Sequence, residues 1–312
     1  MTGYQPFENI HRSVYLLAKY YNLMDTITLK SLFNKITMWR KGGQRAPHKP
    51  LLILLALSYC NQDKDRFVSF CDIDKKLKEI LIEFGPARKS YHPEYPFWRL
   101  QNDGIWELTN TENVSTRRNN TDAKKSELIK YNVHGGFTKE IYDFLISNKD
   151  QIPELASFIL EQNFPASIHE DILQTIGLDL EFNDNFKSRR DPYFRDKILN
   201  AYEYQCAICG FNVRVGNSLV ALEAAHIKWH QAGGPDCEEN GVALCALHHK
   251  LFDRGAFTIS DSMKIIVSDR AHGSKGFKEW LMDFHGKDLM KPQRPSFFPE
   301  PEFVSWHISE VF

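Results

Sequence analysis

The sequence predicts an α+β protein in two domains, and three observations carry that prediction. Apolar residues recur at helical spacing through much of the first 178 residues, with one β-hairpin signal among them. In the last third, three cysteines and a histidine are threaded through a strand-like run and a helix-like run. Between the two regions, residues 179–190 are polar and rich in Asn and charge, which is the composition of a linker. The division is therefore a mainly helical amino-terminal domain over 1–178, with a small β-hairpin, a linker over 179–190, and a metal-stapled strand–strand–helix domain over 191–312.

Taken in order, Leu16, Leu17, Tyr20 and Tyr21 hint at a short helix. From Thr28 to Trp39 the residues Leu29, Leu32, Phe33, Ile36 and Trp39 follow helical spacing, with Thr26 or Thr28 as cap. Residues 40–49 break that pattern with two glycines, a proline and five potential cations. Pro50 is expected at the first position of the next helix. Leu51 to Cys60 is apolar nearly all round, so this helix must be buried. A basic loop pinned by a buried helix is well placed to grip phosphate.

Phe67 to Cys71 reads as a short strand and Asp72 to Phe84 as an amphipathic helix stopped by Gly85-Pro86. The aromatic run Tyr91 to Leu100, then Asp103-Gly104, then Ile105 to Leu108, reads as a β-hairpin about the Asp-Gly pair. Arg117, Arg118, Lys124 and Lys125 fall in a polar loop, and helical patterns return at 138–147 and 155–163.

The second domain opens with a helix from Pro192 to Tyr204. Val220 to His226 is a strand, His248 to Phe252 part of a helix, and 256–259 with 263–267 a hairpin. The last forty residues, rich in Pro and Phe, are expected to wrap the surface. Cys206-Ala-Ile-Cys209 and Cys245-Ala-Leu-His248 are two ligand pairs with two residues between each. Such spacing lets one tight turn offer two donors to a tetrahedral ion, and thiolate and imidazole are zinc's donors. Four protein ligands leave no open position, so this Zn2+ is expected to be structural. Cys237 falls in a polar loop and is read as a bystander.

Composition narrows the classes. No apolar run reaches the roughly 20 residues of a membrane span, and no basic-then-apolar leader opens the chain. Six cysteines, three of them assigned to metal, fit a cytoplasmic protein rather than a disulfide framework. The net charge of −1 hides an uneven distribution: residues 1–130 hold 21 Lys and Arg against 14 Asp and Glu, whereas 150–184 hold eight acidic residues and no Lys or Arg. A basic face on the amino-terminal part is compatible with a polyanionic partner.

The order His226, Asn240, His249, nested between the zinc pairs, resembles the HNH (ββα-metal) nuclease motif. The resemblance implies that His226 is the general base on water, that Asn240 holds the loop orienting it, and that His249 ligates a catalytic divalent cation, Mg2+, Mn2+ or similar. Many HNH motifs carry an acidic residue just before the first histidine. Here that residue is Ala225, so a second metal ligand is sought in Asp253, four residues beyond His249, or in Glu223. His230 is read as a loop residue. A zinc knuckle that merely staples a small domain would need none of the three HNH residues.

In the first domain, residues 45–52 (Arg45-Ala-Pro-His48-Lys49-Pro-Leu-Leu), Tyr95-Pro96-Phe97-Trp98-Arg99-Leu100 and Asp103-Gly-Ile-Trp-Glu-Leu108 resemble the sulfur-binding domain of modification-dependent restriction endonucleases. The resemblance spans about 1–178. It implies recognition of phosphorothioate-modified double-stranded DNA, in which sulfur replaces one non-bridging oxygen. Tyr95 and Pro96 would wall the sulfur pocket, with Trp98 beside them, and Arg45, His48, Lys49 and Arg117 would hold backbone and base edges. Phe97, Trp98 and Trp106 read better as core, and Tyr95-Pro96 reads equally as pocket or as core. Cutting both strands with one site per chain implies a homodimer. The rival readings are an HNH nuclease directed at a methylated base, with Tyr95, Trp98 and Trp106 lining a flipped-base pocket, and a DNA-binding protein with an inert HNH fold.

Overall fold

A computed structural model describes residues 24–38, 44–117, 121–178 and 193–312. Two apolar cores organise them. The expected helix about Leu16 to Tyr21, Trp39, the loop over 40–43, Arg118 and the linker over 179–190 lie outside the described residues.

The first core forms around α2 (His48–Asn61), whose residues Leu51 to Leu57 are all buried. Pro50 is its third residue rather than its first, and the helix is entered through Pro47, whose carbonyl accepts from Leu51 N at 2.9 Å. A proline within the first turn removes no helical bond, since those N–H groups have no partner inside the helix. Ahead of α2 lies α1 (Thr26–Asn34), capped by Asp25, which accepts from Thr28 N at 2.6 Å, so neither threonine is the cap. After it come β1 (Val68–Ser69), α3 (Phe70–Phe84), capped by Ser69, and α4 (Glu94–Arg99). Next are β2 (Trp106–Thr109), α5 (Lys125–Lys130), β3 (His134–Phe137), α6 (Lys139–Ser147), α7 (Ile152–Asn163) and α8 (His169–Ile176). α2 touches α3, α4, α6, α7 and α8.

The expected hairpin about Asp103-Gly104 is absent. Tyr95 to Arg99 is helical, a 3-10 turn carries the chain through Leu100–Asp103, and Gly104, at φ 74°, ends it. β2 pairs instead with β3, in an antiparallel three-stranded sheet of order β1-β3-β2. β3 contains Gly135-Gly136, where a Cβ on Gly136 would meet Arg66 O at 1.8 Å. Only glycine lets the chain pass there. Phe67 to Cys71, expected as a strand, contributes just the two residues of β1 before the Ser69 cap starts α3.

The second core gathers α9 (Phe194–Ala201), the ribbon β4 (Arg214–Val215) and β5 (Ser218–Leu219), β6 (Leu222–His226), β7 (Gly241–Cys245) and α10 (Ala246–Asp253). The hairpin β8 (Phe257–Ile259) and β9 (Ile265–Val267) follows as expected, then α11 (Lys275–Trp280) and α12 (Pro301–Glu310). β6 and β7 pair antiparallel, from Leu222 opposite Cys245 to His226 opposite Gly241. The end of the chain does more than wrap the surface: α12 buries Val304, Trp306, His307 and Glu310.

The two halves share an apolar contact. Trp229, Trp306 and Val311 of the second half pack into the first core. Ion pairs flank them, with Arg254 to Glu83 at 2.8 Å, Lys250 to Asp171 at 2.7 Å and Arg88 to Glu310 at 2.8 Å. Among the described residues no helix is long and apolar enough to cross a membrane.

Candidate functional site

Cys206, Cys209, Cys245 and His248 converge, with one donor atom of each within 4.8 Å of the others. The turn after α9 presents the first pair, and the β7–α10 junction the second. His248 turns Nδ1 toward Cys245 Sγ (3.2 Å) and Cys206 Sγ (3.6 Å), while its Nε2 faces the carbonyl oxygen of Trp280 at 2.8 Å. A carbonyl behind an imidazole fixes which nitrogen is bare, as a metal-ligating histidine requires. Hydrogen bonds from Cys209 and Cys245 hold the Cys206 thiol far below its usual range, toward the thiolate. Three sulfurs and one nitrogen at this separation fit zinc.

Beside this cluster, β6 and α10 carry the HNH residues. His226, the last residue of β6, stacks on Phe194 of α9 at 4.0 Å between ring centroids and 11° between planes. Its Nε2 meets Asp236 Oδ1 at 2.7 Å. Asn240 is fully buried and spans the loop between them: its amide donates to Lys228 O (3.0 Å) and Pro235 O (2.9 Å), and its oxygen accepts from Lys228 N (2.8 Å). The residues 227–236 are thus clamped next to the histidine ring. His230 lies 6.0 Å away, ring to ring. Cys237 is apart from the thiol cluster.

His249 lies between two carboxylates. Nδ1 faces Glu223 Oε2 at 2.6 Å and Nε2 faces Asp253 Oδ2 at 3.1 Å. Burial alone would depress this imidazole, but Asp253 and Glu223 together outweigh it and push it up to about 9. The two acids differ in setting. Glu223 is half exposed, whereas Asp253 is 2% exposed and also accepts from Trp229 Nε1 at 3.0 Å and from the Ser167 hydroxyl. Glu223 is the one that faces outward with His249 Nδ1. Asp236, Trp229 and Ser167 were not singled out in the sequence. Asp236 stands in a Gly-Gly-Pro-Asp turn between the motif's histidine and asparagine, and that position was its only signal.

In the first half, a cleft of about 690 Å³ opens beside the amino end of α2 and along α4. Arg45, His48, Lys49, Tyr95 and Pro96 all line it, so the structure brings together five of the seven residues expected there. Tyr95 forms a half-buried wall, its ring flanked by the guanidinium carbons of Arg99 (4.8 Å) and Arg117 (5.0 Å), and its hydroxyl accepts from Arg117 Nη1 at 2.7 Å. Trp98 is not among the lining residues. It packs on the first core and donates its indole N–H to Thr121 O at 2.8 Å. Phe97 and Trp106 are core residues.

The cations of the rim already have acidic partners. Lys49 meets Asp103 at 2.5 Å and Arg99 meets Asp122 through two bonds of 2.7 and 2.5 Å, while Arg117, which contacts Tyr95 but is not among the lining residues, meets Glu94 at 3.3 Å. Arg45 differs. Its guanidinium stacks on Trp229 at 4.1 Å and donates from Nη2 to Phe84 O at 2.8 Å, while Nε and Nη1 are buried without a partner. Burial lowers its pKa to about 9. His48 is likewise depressed, to about 4, by burial first and then by the cations around it, so it is neutral at pH 7. His307, in the second half, is pushed down to about 3 by burial.

Both histidines must stay uncharged in the folded chain although their unfolded pKa is near 6.5. Their contribution to stability is complete above pH 6.5 and is lost as pH falls toward 4 for His48 and 3 for His307. The unfolding midpoint is therefore expected to drop across that window. The drop should be shallower in His48→Gln, and an unchanged slope in that variant would assign the acid sensitivity elsewhere.

Comparison with known proteins agrees with this geometry. Residues 26–181 match the family model of the ScoMcrA-like DNA sulfur-binding domain, and residues 206–260 match that of HNH endonucleases. No curated protein matches the chain in sequence. Similar solved structures include the sulfur-binding domain of ScoMcrA complexed with phosphorothioated DNA, with 18% identity, a TM-score of 0.42, and coverage of 48% of this chain and 94% of that one. The SprMcrA sulfur-binding domain, also complexed with phosphorothioated DNA, gives 19%, 0.41, 50% and 95%. The type IV phosphorothioation-dependent restriction endonuclease ScoMcrA gives 18%, 0.38, 49% and 32%, so only about a third of that longer protein is covered. The family models, rather than these distant superpositions, carry the assignment: the chain belongs to the ScoMcrA-like DNA sulfur-binding family and carries an HNH endonuclease domain over residues 206–260.

Proposed function

We propose that this chain is a modification-dependent restriction endonuclease, which binds double-stranded DNA at a phosphorothioate and hydrolyses a phosphodiester nearby. The observation that carries the reading is the cleft in which Tyr95 and Pro96 stand beside a neutral His48 and a cationic rim. Sulfur is larger, more polarisable and more weakly hydrated than oxygen, so an apolar wall accepts it readily. The same wall strips water from a phosphate oxygen without replacing the hydrogen bond, at a cost on the order of 1–3 kcal/mol. The rim supplies register on the backbone. The methylated-base reading is less favoured, because Trp106 is 3% exposed in the core and Trp98 does not line the cleft, so only Tyr95 of its three aromatic residues is there.

At the other site His226 accepts the proton of the attacking water, its ring held by Phe194 and Asp236 in the manner of a base with an orienting acid. Asn240 keeps the loop of Asp236 in place. His249 and Glu223 are the pair suited to hold a divalent cation, Mg2+ or Mn2+, whose chemistry is to offset charge on the scissile phosphate. Asp253 orients His249 from behind, as both its oxygens already accept bonds in the interior. The reading includes a homodimer, since two strands need two such sites, and action in the cytoplasm, where the DNA is.

The test is a pair of duplexes that differ by one atom, oxygen or sulfur at a single phosphate. The full chain is expected to bind the sulfur duplex about ten- to a hundredfold more tightly, the ratio that about 1.4 kcal/mol per decade gives for that penalty, and only one stereoisomer should show it. Tyr95→Ala should lose most of that preference and keep the weak, salt-dependent binding to plain DNA. Equal binding of the two duplexes by the wild-type chain would remove the sulfur reading.

A further inference from the structure

The nuclease site is braced from the other half of the molecule. Asp253 stands behind His249 and is itself held at three points: by His249 Nε2, by the indole N–H of Trp229, and by the hydroxyl of Ser167. Ser167 belongs to the turn that precedes α8, well inside the residues matched to the sulfur-binding family. Trp229 belongs to the second half but is buried in the first core, beside Trp306. On its ring lies the guanidinium of Arg45, a residue of the recognition cleft. The path from cleft to nuclease therefore runs Arg45, Trp229, Asp253, His249, each step a stack or hydrogen bond in the interior.

We infer that Ser167 and Trp229 are positioning residues for the nuclease: they fix Asp253, and through it His249, so that the metal-binding histidine is oriented only when the recognition half is docked. This rests on the assignment of His249 as a ligand of the catalytic cation. The physical case is that of a ligand's outer partner. An imidazole that offers one nitrogen to a cation is oriented by the group on its other nitrogen, and a carboxylate does this only if it is itself held. Here one of the three holding contacts, Ser167, comes from outside the strand–strand–helix unit that carries the motif, and a second, Trp229, comes from the loop between β6 and β7 with its ring buried in the first core. Around them, Lys250 to Asp171 and Arg254 to Glu83 fasten α10 to the same face. Arg45, stacked on Trp229, extends the same set of contacts to the edge of the cleft.

The test uses the full zinc-loaded chain and reads Mn2+ binding by calorimetry beside cleavage. Ser167→Ala removes one hydroxyl, and Trp229→Phe keeps a ring for Arg45 while removing the donor to Asp253. Each is expected to lower Mn2+ affinity and the cleavage rate by about 10–100-fold, the usual loss for an outer-shell partner. Zinc content and affinity for the sulfur duplex should stay at wild-type values, and Ser167→Thr should recover Mn2+ binding because it returns the hydroxyl. Wild-type Mn2+ affinity in both Ser167→Ala and Trp229→Phe, alongside a clear loss in His249→Ala, would overturn this inference alone. Unchanged Mn2+ binding in His249→Ala would instead overturn the ligand assignment on which it stands.

Discussion

Cys245→Ala is expected to release the zinc and to unfold residues 193–312. The cluster ties the turn after α9 to the junction of β7 and α10, and the strand pair that carries His226 ends at Cys245 opposite Leu222. Structural zinc contributes about 10–16 kcal/mol of apparent binding free energy in small domains. That is as large as the whole stability of a typical domain, about 5–15 kcal/mol. No rearrangement of the apolar core compensates for such a loss. Atomic absorption should find no stoichiometric metal in Cys206→Ala or Cys245→Ala, and circular dichroism should show the second half melted at 25 °C. The first half should remain folded with a lower midpoint, because Trp229 and Trp306 no longer cover part of its core. Full zinc occupancy in both variants would refute the ligand set.

His226→Ala should reduce cleavage by about 10²–10⁴-fold, the usual contribution of a positioned base. Zinc content and DNA affinity should be unaffected, since the ring contributes to the transition state rather than to the zinc site or the cleft, while loss of the buried stack on Phe194 lowers the melting midpoint. Asp236→Asn removes the charge beside Nε2 and keeps the shape, so a smaller loss of rate is expected there. Single-turnover cleavage of a plasmid with added Mn2+ separates the two variants. Cutting at the wild-type rate by His226→Ala would mean that a different group accepts the proton.

The helices were legible where burial alone dictated them. Leu51 to Cys60 had no polar face and formed the central helix of the first core. The cluster of three cysteines and a histidine and the His226–Asn240–His249 order were legible because close spacing in sequence places donors on one turn or one strand pair. Two kinds of feature were not. The strand over His134–Phe137 has no signal in the sequence, because Gly135-Gly136 is there for a close backbone approach that only the folded sheet reveals. The aromatic run at Tyr95 has strand propensity, yet tertiary packing of Phe97 against Phe70 and Trp106 holds it helical. Ser167 and Trp229 could not be found by spacing at all. Ser167 is 86 residues from Asp253 and carries no motif.

The paired cations of the cleft rim bear on how the molecule spends its time among competing sites. Lys49, Arg88 and Arg99 each already hold a carboxylate of the protein itself. A phosphate gains such a cation only by displacing an internal anion, so each contact neutralises less net charge and frees fewer counterions than a bare lysine would. On the proposed function, ordinary duplex is then expected to be held only briefly. A chromosome offers about 10⁶–10⁹ ordinary positions, and a protein that lingered on each would be titrated away from the rare one it recognises. Low background, set by the rim, then matters to discrimination as much as tight capture does.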